Sequence, residues 1–380
     1  MEKIQIDGTN TLNKGAELML YAILEQIEER HPQAVVYYNF NERKEQGEID
    51  TKLNLKKRLG LQYGRYPAAL LKKLKLPHGY FTPQYAINGL ELILDGAGFQ
   101  FSDQWKYSQE RINKLENYYA SLKKKGAKIV LLPQAFGPFE TPAGKRIVQI
   151  IDKYVDIAIA REKISYDYLV MSGTNAKKVW LYPDFTLLVK GKFPERYKHL
   201  KGKVCIIPNK KMVTHASSNA EQYIEFLKKI ILEIEKQSKG IFLLNHEGSG
   251  DLAFCQKINQ GFDNKYEIAT GLNAKEVKGL IGEAYLVISS RFHGVASALN
   301  QGVPCLATSW NHKYEMLFED FGQSGSVLNV GDDWTKTKQR LAETMLAHDE
   351  VRGLLLKKKE ELSVKTKEMW SQIWNNTFSN

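Results

Sequence analysis

The sequence predicts an α/β fold with two Rossmann-like, doubly wound domains, each built on a parallel sheet. The chain has 380 residues, a length that suits two domains of ordinary size. Short apolar runs alternate with longer amphipathic stretches, the pattern of strands joined by helices. We place the first domain at residues 1–190, a polar and basic linker at 191–203, and the second domain at 204–380.

The first domain opens with a strand, a turn and a helix. The apolar run Lys3–Asp7 ends at Gly8, and an Asn-rich and Gly-rich turn leads into a helix that includes Ala16. In this turn, Asn13 is either a helix cap or part of a ligand site. Further strands are predicted at 34–38, 90–94, 128–132, 155–160 and 179–182.

The second domain is organised around residues 289–304. The apolar run 284–288 predicts a buried strand, and Ser289 and Ser290 lie where the strand ends. A short helix of small apolar residues follows, which places Arg291 and His293 in a strand-to-helix turn. Ligands of open α/β sheets bind at this edge, where helix N-termini also attract anions. An arginine can fork onto a carboxylate or phosphate, and a histidine can move a proton. The alternative is a structural arginine and a core histidine.

A second strand, at 304–308, ends close to His312 and Lys313. Two neighbouring loops that carry Arg, His, His and Lys predict a binding site for a small, multiply charged anion. The loop after the strand at 241–244 adds His246 and Glu247 as minor candidates, and the simplest interpretation of the nearby Asp251 is a helix cap.

The strongest motifs of the second domain lie between Tyr285 and Gly322. They are Arg291-Phe292-His293-Gly294, Gly302-Val303-Pro304, Lys313 and Phe321-Gly322. This set resembles the signature of the polysaccharide pyruvyl transferase family, and weaker similarities run in patches along most of the chain. The resemblance implies a GT-B-like pair of domains, with acceptors on the first and the donor on the second. It also implies a C-terminal helix that packs back on the first domain.

The resemblance further implies an activity. Members of the family move the enolpyruvyl group of phosphoenolpyruvate onto a hexose of a cell-surface polysaccharide or its lipid-linked precursor, and they form a pyruvate ketal and phosphate. His293 and Arg291 would then be catalytic. The donor-binding residues would be Arg161, Lys313, Ser290, Gly294 and His312. Residues that would contact the acceptor or line the cleft are Asn13, Asp95, Gln134, His246 and Glu247. Phosphoenolpyruvate would be a co-substrate, with no cofactor, and no Cys/His/carboxylate cluster has zinc spacing.

Two other functions fit parts of the sequence. A GT-B glycosyltransferase would use the same sheet edges and hold the diphosphate of a nucleotide sugar with the same basic groups. The net charge of +11 would also suit a nucleic-acid-binding module. The basic residues form no recognised RNA or DNA motif, so we expect no nucleic-acid partner.

Residues 51–79 contain eight Lys and Arg, no Asp or Glu, and many interleaved leucines. Such a segment predicts contact with an anionic membrane surface or with the acceptor, and a solvated helix pair is the alternative. The three cysteines lie far apart in apolar surroundings, which predicts buried, reduced thiols in a cytosolic protein. With no signal peptide or membrane-spanning run, we expect a cytoplasmic protein, with a peripheral place at the inner face of the cell membrane as a further option.

Overall fold

The computed structural model describes residues 2–38, 56–57, 89–214, 219–308 and 313–378. The chain divides into two compact units. Unit 1 comprises Met1–Thr11, Met19–Phe185 and Glu368–Asn380, and unit 2 comprises Leu12–Leu18 and Thr186–Lys367.

Unit 1 is built on a parallel sheet with helices between its strands. The strands are β1 (Lys3–Asp7), β2 (Val35–Tyr38), β3 (Lys56–Lys57), β4 (Leu92–Asp95), β5 (Lys128–Gln134), β6 (Ile157–Ala160) and β7 (Val179–Leu181). The helices are α1 (Lys14–Arg30), α2 (Gln109–Lys124), α3 (Pro142–Tyr154) and α4 (Lys163–Met171). The strand order is β3-β2-β1-β4-β5-β6-β7, so the order reverses between β1 and β4.

Unit 2 repeats this plan. Its strands are β8 (Val204–Ile207), β9 (Ile241–Leu244), β10 (Ile268–Ala269), β11 (Leu286–Ser289), β12 (Cys305–Thr308) and β13 (Val327–Leu328). The helices that follow α4 are α5 (Lys211–Thr214), α6 (Ala220–Glu235), α7 (Gly248–Gln260), α8 (Ala274–Gly282), α9 (Phe292–Leu299), α10 (Lys313–Asp320), α11 (Trp334–Leu346) and α12 (His348–Phe378). The strand order is β10-β9-β8-β11-β12-β13, and the reversal lies between β8 and β11.

The apolar runs of the sequence become strands because both faces of each sheet are covered. Every residue of β4, β6, β8, β9, β11 and β12 is buried, as expected for parallel strands between two helical layers. Polar side chains cap the start of several helices. Thr141 caps α3, and Asn273 forms a reciprocal capping box with Glu276 at α8. The predicted α/β fold is confirmed.

The last helix, α12, contributes to both units along its length. Leu355 and Leu362 are buried in the core of unit 2, whereas the helix belongs to unit 1 from Glu368 onwards. There the Trp370 ring meets Phe185 edge-on, with 6.1 Å between the ring centroids. The predicted packing of a C-terminal helix on the first domain is therefore confirmed.

Two segments complete the comparison with the sequence. Residues 191–203, predicted as a linker, lie within unit 2, where a 3-10 helix at Glu195–Leu200 buries Tyr197 and Leu200. The polar residues around Tyr197 and Leu200 are the reason that the sequence did not predict a buried helix here.

The basic segment 51–79 lies outside the described residues, apart from the two-residue strand β3, and its role stays a prediction. Cys205, Cys255 and Cys305 are free and buried.

Candidate functional site

The turn after β11 lies at the switch point of the second sheet, where ligands of doubly wound folds bind. The strand ends at Ser289, and Arg291 has extended backbone dihedrals immediately before α9. The Ser289 hydroxyl accepts a hydrogen bond from the Arg291 amide at 3.0 Å. A Cβ atom on Gly294 would lie 2.5 Å from that hydroxyl oxygen, so the tight turn needs glycine there. The role of Gly294 is therefore steric, because it allows the turn to pack closely. The sequence had suggested that Gly294 contacts the phosphoenolpyruvate donor.

Ser290 ties the turn to neighbouring elements through hydrogen bonds. Its hydroxyl is hydrogen-bonded to the hydroxyls of Tyr223 and Thr308, and its carbonyl accepts from Asn209 at 2.7 Å and from Tyr314 at 2.9 Å. The residue is 1% exposed. A hydroxyl that is buried and already bonded twice is a positioning group, whereas the sequence had suggested a direct contact with the donor.

Arg291 is held by two carboxylates. Its Nε and Nη2 atoms donate to the two oxygens of Asp251, at 2.8 and 2.6 Å, and Nη1 donates to Glu247. Burial by itself lowers the pKa of Arg291, but Asp251 and Glu247 outweigh burial and raise the pKa above its ordinary value. The two N–H groups of Arg291 that the sequence predicted would bind the phosphoenolpyruvate donor are thus bonded to Asp251 within the protein. Asp251 is fully buried and is an ion-pair partner, so its interpretation as a helix cap was wrong.

His293 lies in the first turn of α9 and is half-buried. Its ring rests against Gly15, because a Cβ atom at Gly15 would be 2.2 Å from the His293 Nδ1 atom. Gly15 and His293 both belong to unit 2. The absence of a side chain at Gly15 therefore makes the room that the imidazole occupies.

The second histidine, His246, has different properties. It is 3% exposed, and burial is the main cause that lowers its pKa well below the ordinary 6.5. Positive charges lower the pKa further, and they belong to Arg291, His293 and Lys14. A permanently neutral imidazole cannot act as a general acid near pH 7. The lowered pKa of His246 instead shows that the basic side chains of Arg291, His293 and Lys14 lie close to one buried point in unit 2.

The start of α1 contributes Asn13 to the same cluster. Its side-chain oxygen accepts from the Gly15 amide at 2.8 Å, which makes it a helix cap. Its side-chain nitrogen donates to Glu247 at 3.2 Å, so the cap is also tied to the ion pairs of Arg291. The helix-cap interpretation is thus confirmed, and a role of Asn13 in a ligand site stays a prediction.

Lys313 begins α10 and lies near the ring faces of Phe292 and Tyr314, with its Nζ atom 5.8 and 5.7 Å from their centroids. This arrangement places an ammonium group above the aromatic side chains next to the His293 turn. His312, which precedes it, lies outside the described residues.

The carboxyl edge of the first sheet carries the remaining candidates. Arg161 is 6% exposed. Its Nε atom lies 3.5 Å from the Oε2 atom of Glu162, and its Nη1 atom lies 3.4 Å from the Oδ2 atom of Asp184. The Ser165 hydroxyl donates to Glu162. Arg161 is thus part of a buried ion-pair network of unit 1, the structural alternative to a role in binding the donor.

Asp95 ends β4, where its oxygens accept from the Ala97 amide at 2.9 Å and from Gln100 at 3.1 Å. Burial, followed by the charge of Asp7, raises the pKa of Asp95 from 3.8 to about 7. The side-chain oxygen of Gln134 accepts from the Gln100 amide at 3.3 Å, so these candidates share one hydrogen-bonded group.

The family profile described as Polysaccharide pyruvyl transferase matches residues 13–312. The chain belongs to this family. The matched region includes the Arg291–His293 turn and the candidates of both sheet edges, and Lys313 follows it directly. No curated protein sequence matches the chain.

Solved structures similar to this pyruvyl transferase family member share its fold. Anabaena HepE in complex with UDP and glucose has a TM-score of 0.60 at 13% identity, with 100% of both chains covered. The S. aureus MnaA–UDP structure has a TM-score of 0.57 at 12% identity, covering 93% of this chain and 91% of that one. UDP-GlcNAc 2-epimerase from Methanocaldococcus jannaschii has a TM-score of 0.55 at 14% identity, covering 91% and 92%. At such identities the likeness shows the GT-B-like fold alone.

The structure also places in these clusters residues of this family member that the sequence did not identify as part of a site. Asp251 and Lys14 join the cluster of unit 2, and Asp7 pairs with Asp95 in unit 1. A polar residue at the end of a strand next to the switch point was the available signal for Asp7. Within the part of the chain that the structure describes, no helix is both long and apolar enough to cross a membrane.

Proposed function

We propose that this transferase moves the enolpyruvyl group of phosphoenolpyruvate onto a hexose of a cell-surface polysaccharide or its lipid-linked precursor. The products are a pyruvate ketal and phosphate, and phosphoenolpyruvate is a co-substrate. The observation that carries this proposal is the family match over residues 13–312, which includes the Arg291–His293 turn at a sheet switch point.

The electrostatics of unit 2 support an anionic donor. The basic side chains of Arg291, His293 and Lys14 all lower the pKa of the buried His246. Arg291 is paired with Asp251 and Glu247 and Lys14 with Glu17, whereas Lys313 begins the helix after the next strand. Basic side chains beside the N-terminus of α9 favour the phosphate and the carboxylate of an anionic donor. Because Arg291 is bound to Asp251 and Glu247, we propose that it positions the site, with one guanidinium edge shared between Glu247 and the donor.

We assign proton transfer to His293. As an imidazolium it gives its proton to C3 of the enol, which becomes a methyl group and leaves cationic character on C2. One sugar hydroxyl adds to C2, the bond from C2 to the phosphate oxygen breaks, and the second hydroxyl closes the ketal. Of the two hydroxyl protons, one restores the imidazolium and the other leaves with the phosphate.

The test is incubation of the purified protein with phosphoenolpyruvate and nitrophenyl or lipid-linked hexosides. Phosphate release and a new ketal methyl signal in the proton NMR spectrum are the expected results. His293→Gln should slow turnover by roughly 100- to 10,000-fold, the usual contribution of a general acid–base group. His199→Gln is the matched control, because His199 is an exposed histidine of the same unit, paired with Glu267.

Two outcomes contradict the proposal at different levels. Near wild-type turnover in His293→Gln would remove the proton-transfer assignment and leave the reaction standing. Release of UDP from a nucleotide sugar, with no phosphate from phosphoenolpyruvate, would replace the reaction by glycosyl transfer.

A further inference from the structure

The sheet of unit 2 carries a cavity at the edge opposite the Arg291–His293 turn. The strands of this sheet are parallel, and the cavity is lined mainly by residues at or just before the starts of β8, β9 and β10. Its volume is about 490 Å³, and its wall contains three lysines, Lys203, Lys239 and Lys265, with one acid, Glu235. We call it the basic cavity. None of its lining residues belongs to the proposed donor site, so a ligand here would have a separate role.

Small molecules can enter the basic cavity from solvent. Ser238, Gly240 and Lys265 in its wall are all exposed. Tyr266, in the same wall, is only 7% exposed, and its hydroxyl donates to Glu235 at 2.6 Å. The cavity thus has both exposed and buried walls, and its volume falls in the range of small-molecule sites, about 300 to 1,000 Å³.

The charges of the basic cavity are not balanced. The Oε1 atom of Glu235 accepts both from the Tyr266 hydroxyl and from Nζ of Lys265, so this carboxylate is already bonded within the protein. Lys203 and Lys239 are half-buried, and neither has an acidic partner in the part of the chain that the structure describes. Because a partly desolvated ammonium group without a counter-charge is unfavourable, these two lysines favour an anion that supplies the charge.

Local packing holds both lysine side chains in place. The Lys203 stem lies along Gly240, where a Cβ atom would be 3.0 Å from Cγ and 3.3 Å from Cε of the lysine. The Lys239 Nζ atom lies 3.9 Å from the ring centroid of Tyr285, in a cation–π contact. The Tyr285 ring is stacked in turn on His348, with 4.1 Å between the ring centroids. Since these contacts exist before a ligand arrives, the two lysines lose less conformational freedom on binding than mobile surface lysines would.

We propose that the basic cavity binds a phosphate group between Lys203 and Lys239. A phosphate monoester carries a charge of about −1.5 to −2 at pH 7 and three strong acceptor oxygens. It can therefore accept from both ammonium groups, and the Ser238 hydroxyl of the same wall is a further donor. A neutral sugar would leave the two positive charges unbalanced, and a cation would be repelled. Inorganic phosphate, a sugar phosphate and a lipid headgroup all present this group, and the experiment distinguishes them.

The experiment measures how phosphate changes the acetylation rate of individual lysines of the full chain. A water-soluble acetylating reagent is used with increasing inorganic phosphate or glucose 6-phosphate, at an ionic strength held constant with NaCl, and each lysine is followed by peptide mass spectrometry. Only a neutral amine is acetylated, and a bound phosphate favours the ammonium form, so acetylation of Lys203 and Lys239 should slow roughly ten-fold. Lys229 is the matched control, because its Nζ atom also lies over an aromatic ring, that of Trp334 at 5.9 Å, yet it does not line the cavity.

Variants show whether the two lysines act on one phosphate. In Lys203→Gln, protection of Lys239 should require roughly ten-fold more phosphate, because one charge-assisted hydrogen bond is lost. Lys239→Gln should have the same effect on the protection of Lys203. Lys229→Gln should leave the protection of both lysines unchanged.

A parallel arm replaces free phosphate by phosphatidylcholine vesicles that contain phosphatidic acid. Protection by inorganic phosphate or glucose 6-phosphate assigns the basic cavity to a free phosphorylated compound, and protection by vesicles alone assigns it to a lipid headgroup. If no form of phosphate slows acetylation, if Lys229 is protected equally, or if Lys203→Gln leaves the protection of Lys239 unchanged, the inference is overturned. Phosphoenolpyruvate turnover is not part of this measurement, so this inference and the proposed function fail separately.

Discussion

Replacing Asp95 by Asn should make unit 1 more stable at neutral pH, and the gain should depend on pH. In the folded protein, burial first and the charge of Asp7 second raise the pKa of Asp95 from 3.8 to about 7. At pH values below the pKa of Asp95 in the unfolded chain, the folded and the unfolded protein both hold the proton, and Asp95 does not lower the free energy of unfolding. At pH values between the unfolded and the folded pKa only the folded protein holds the proton, so the free energy of unfolding falls as the pH rises.

The rise from 3.8 to about 7 sets the size of the effect. At about 1.4 kcal/mol per pH unit, the wild type loses up to about 4 kcal/mol as the pH passes through this window. Above the folded pKa both states are ionised, and no further loss occurs. Asp95→Asn keeps the acceptor for the Ala97 amide and removes the charge. The free energy of unfolding of this variant should therefore not show the pH-dependent loss caused by Asp95.

Urea unfolding of wild type and Asp95→Asn at several pH values between 4 and 8, followed by tryptophan fluorescence, measures the difference. We expect the difference to grow with pH and to level off above about pH 7.5. Asp7→Asn should reduce the growth and not abolish it, because burial is the larger cause. A difference that is constant across the range would refute the assignment of a raised pKa to Asp95.

Two further predictions concern unit 2. Asp251→Asn should lower the free energy of unfolding by roughly 3 to 5 kcal/mol, because it leaves Arg291 buried with only Glu247 as a charged partner; an unchanged urea midpoint would contradict this. Gly15→Ala should slow turnover, by roughly 100-fold for a displacement of about 1 Å, since its methyl group must move the His293 ring. Gly353→Ala, where the added methyl meets open space, should leave turnover unchanged.

The fold could be predicted from the sequence because its signals are local. Strands buried on both faces appear as continuous apolar runs, and the turn residues between them mark the sheet edges. The Arg291–His293 turn was found in the same way, since strand end, charged pair and helix start are contiguous.

The partners of these residues could not be predicted. Asp251 lies 40 residues before Arg291 in the sequence, and only the packing of α7 beside the turn brings the two together. Ser290 was predicted at a strand end as a donor-binding residue, yet its hydroxyl is hydrogen-bonded to Tyr223 and Thr308 from other elements. Residue type and spacing thus located the edge of the sheet, whereas burial decided which side chains a ligand can reach.

The last turns of α12 have a consequence for how the protein is made. Unit 1 needs Glu368–Asn380 as well as Met1–Thr11 and Met19–Phe185, so the Trp370 contact with Phe185 cannot form until the ribosome has passed through residues 186–367. Until then the apolar surface that receives Trp370 and Trp374 is uncovered, a period in which chaperones or proteases can act. A nonsense mutation shortly before Glu368 would therefore damage unit 1, most of which is encoded at the other end of the chain. Unit 2 would keep most of its residues, and unit 1 would lose the part of α12 that belongs to it.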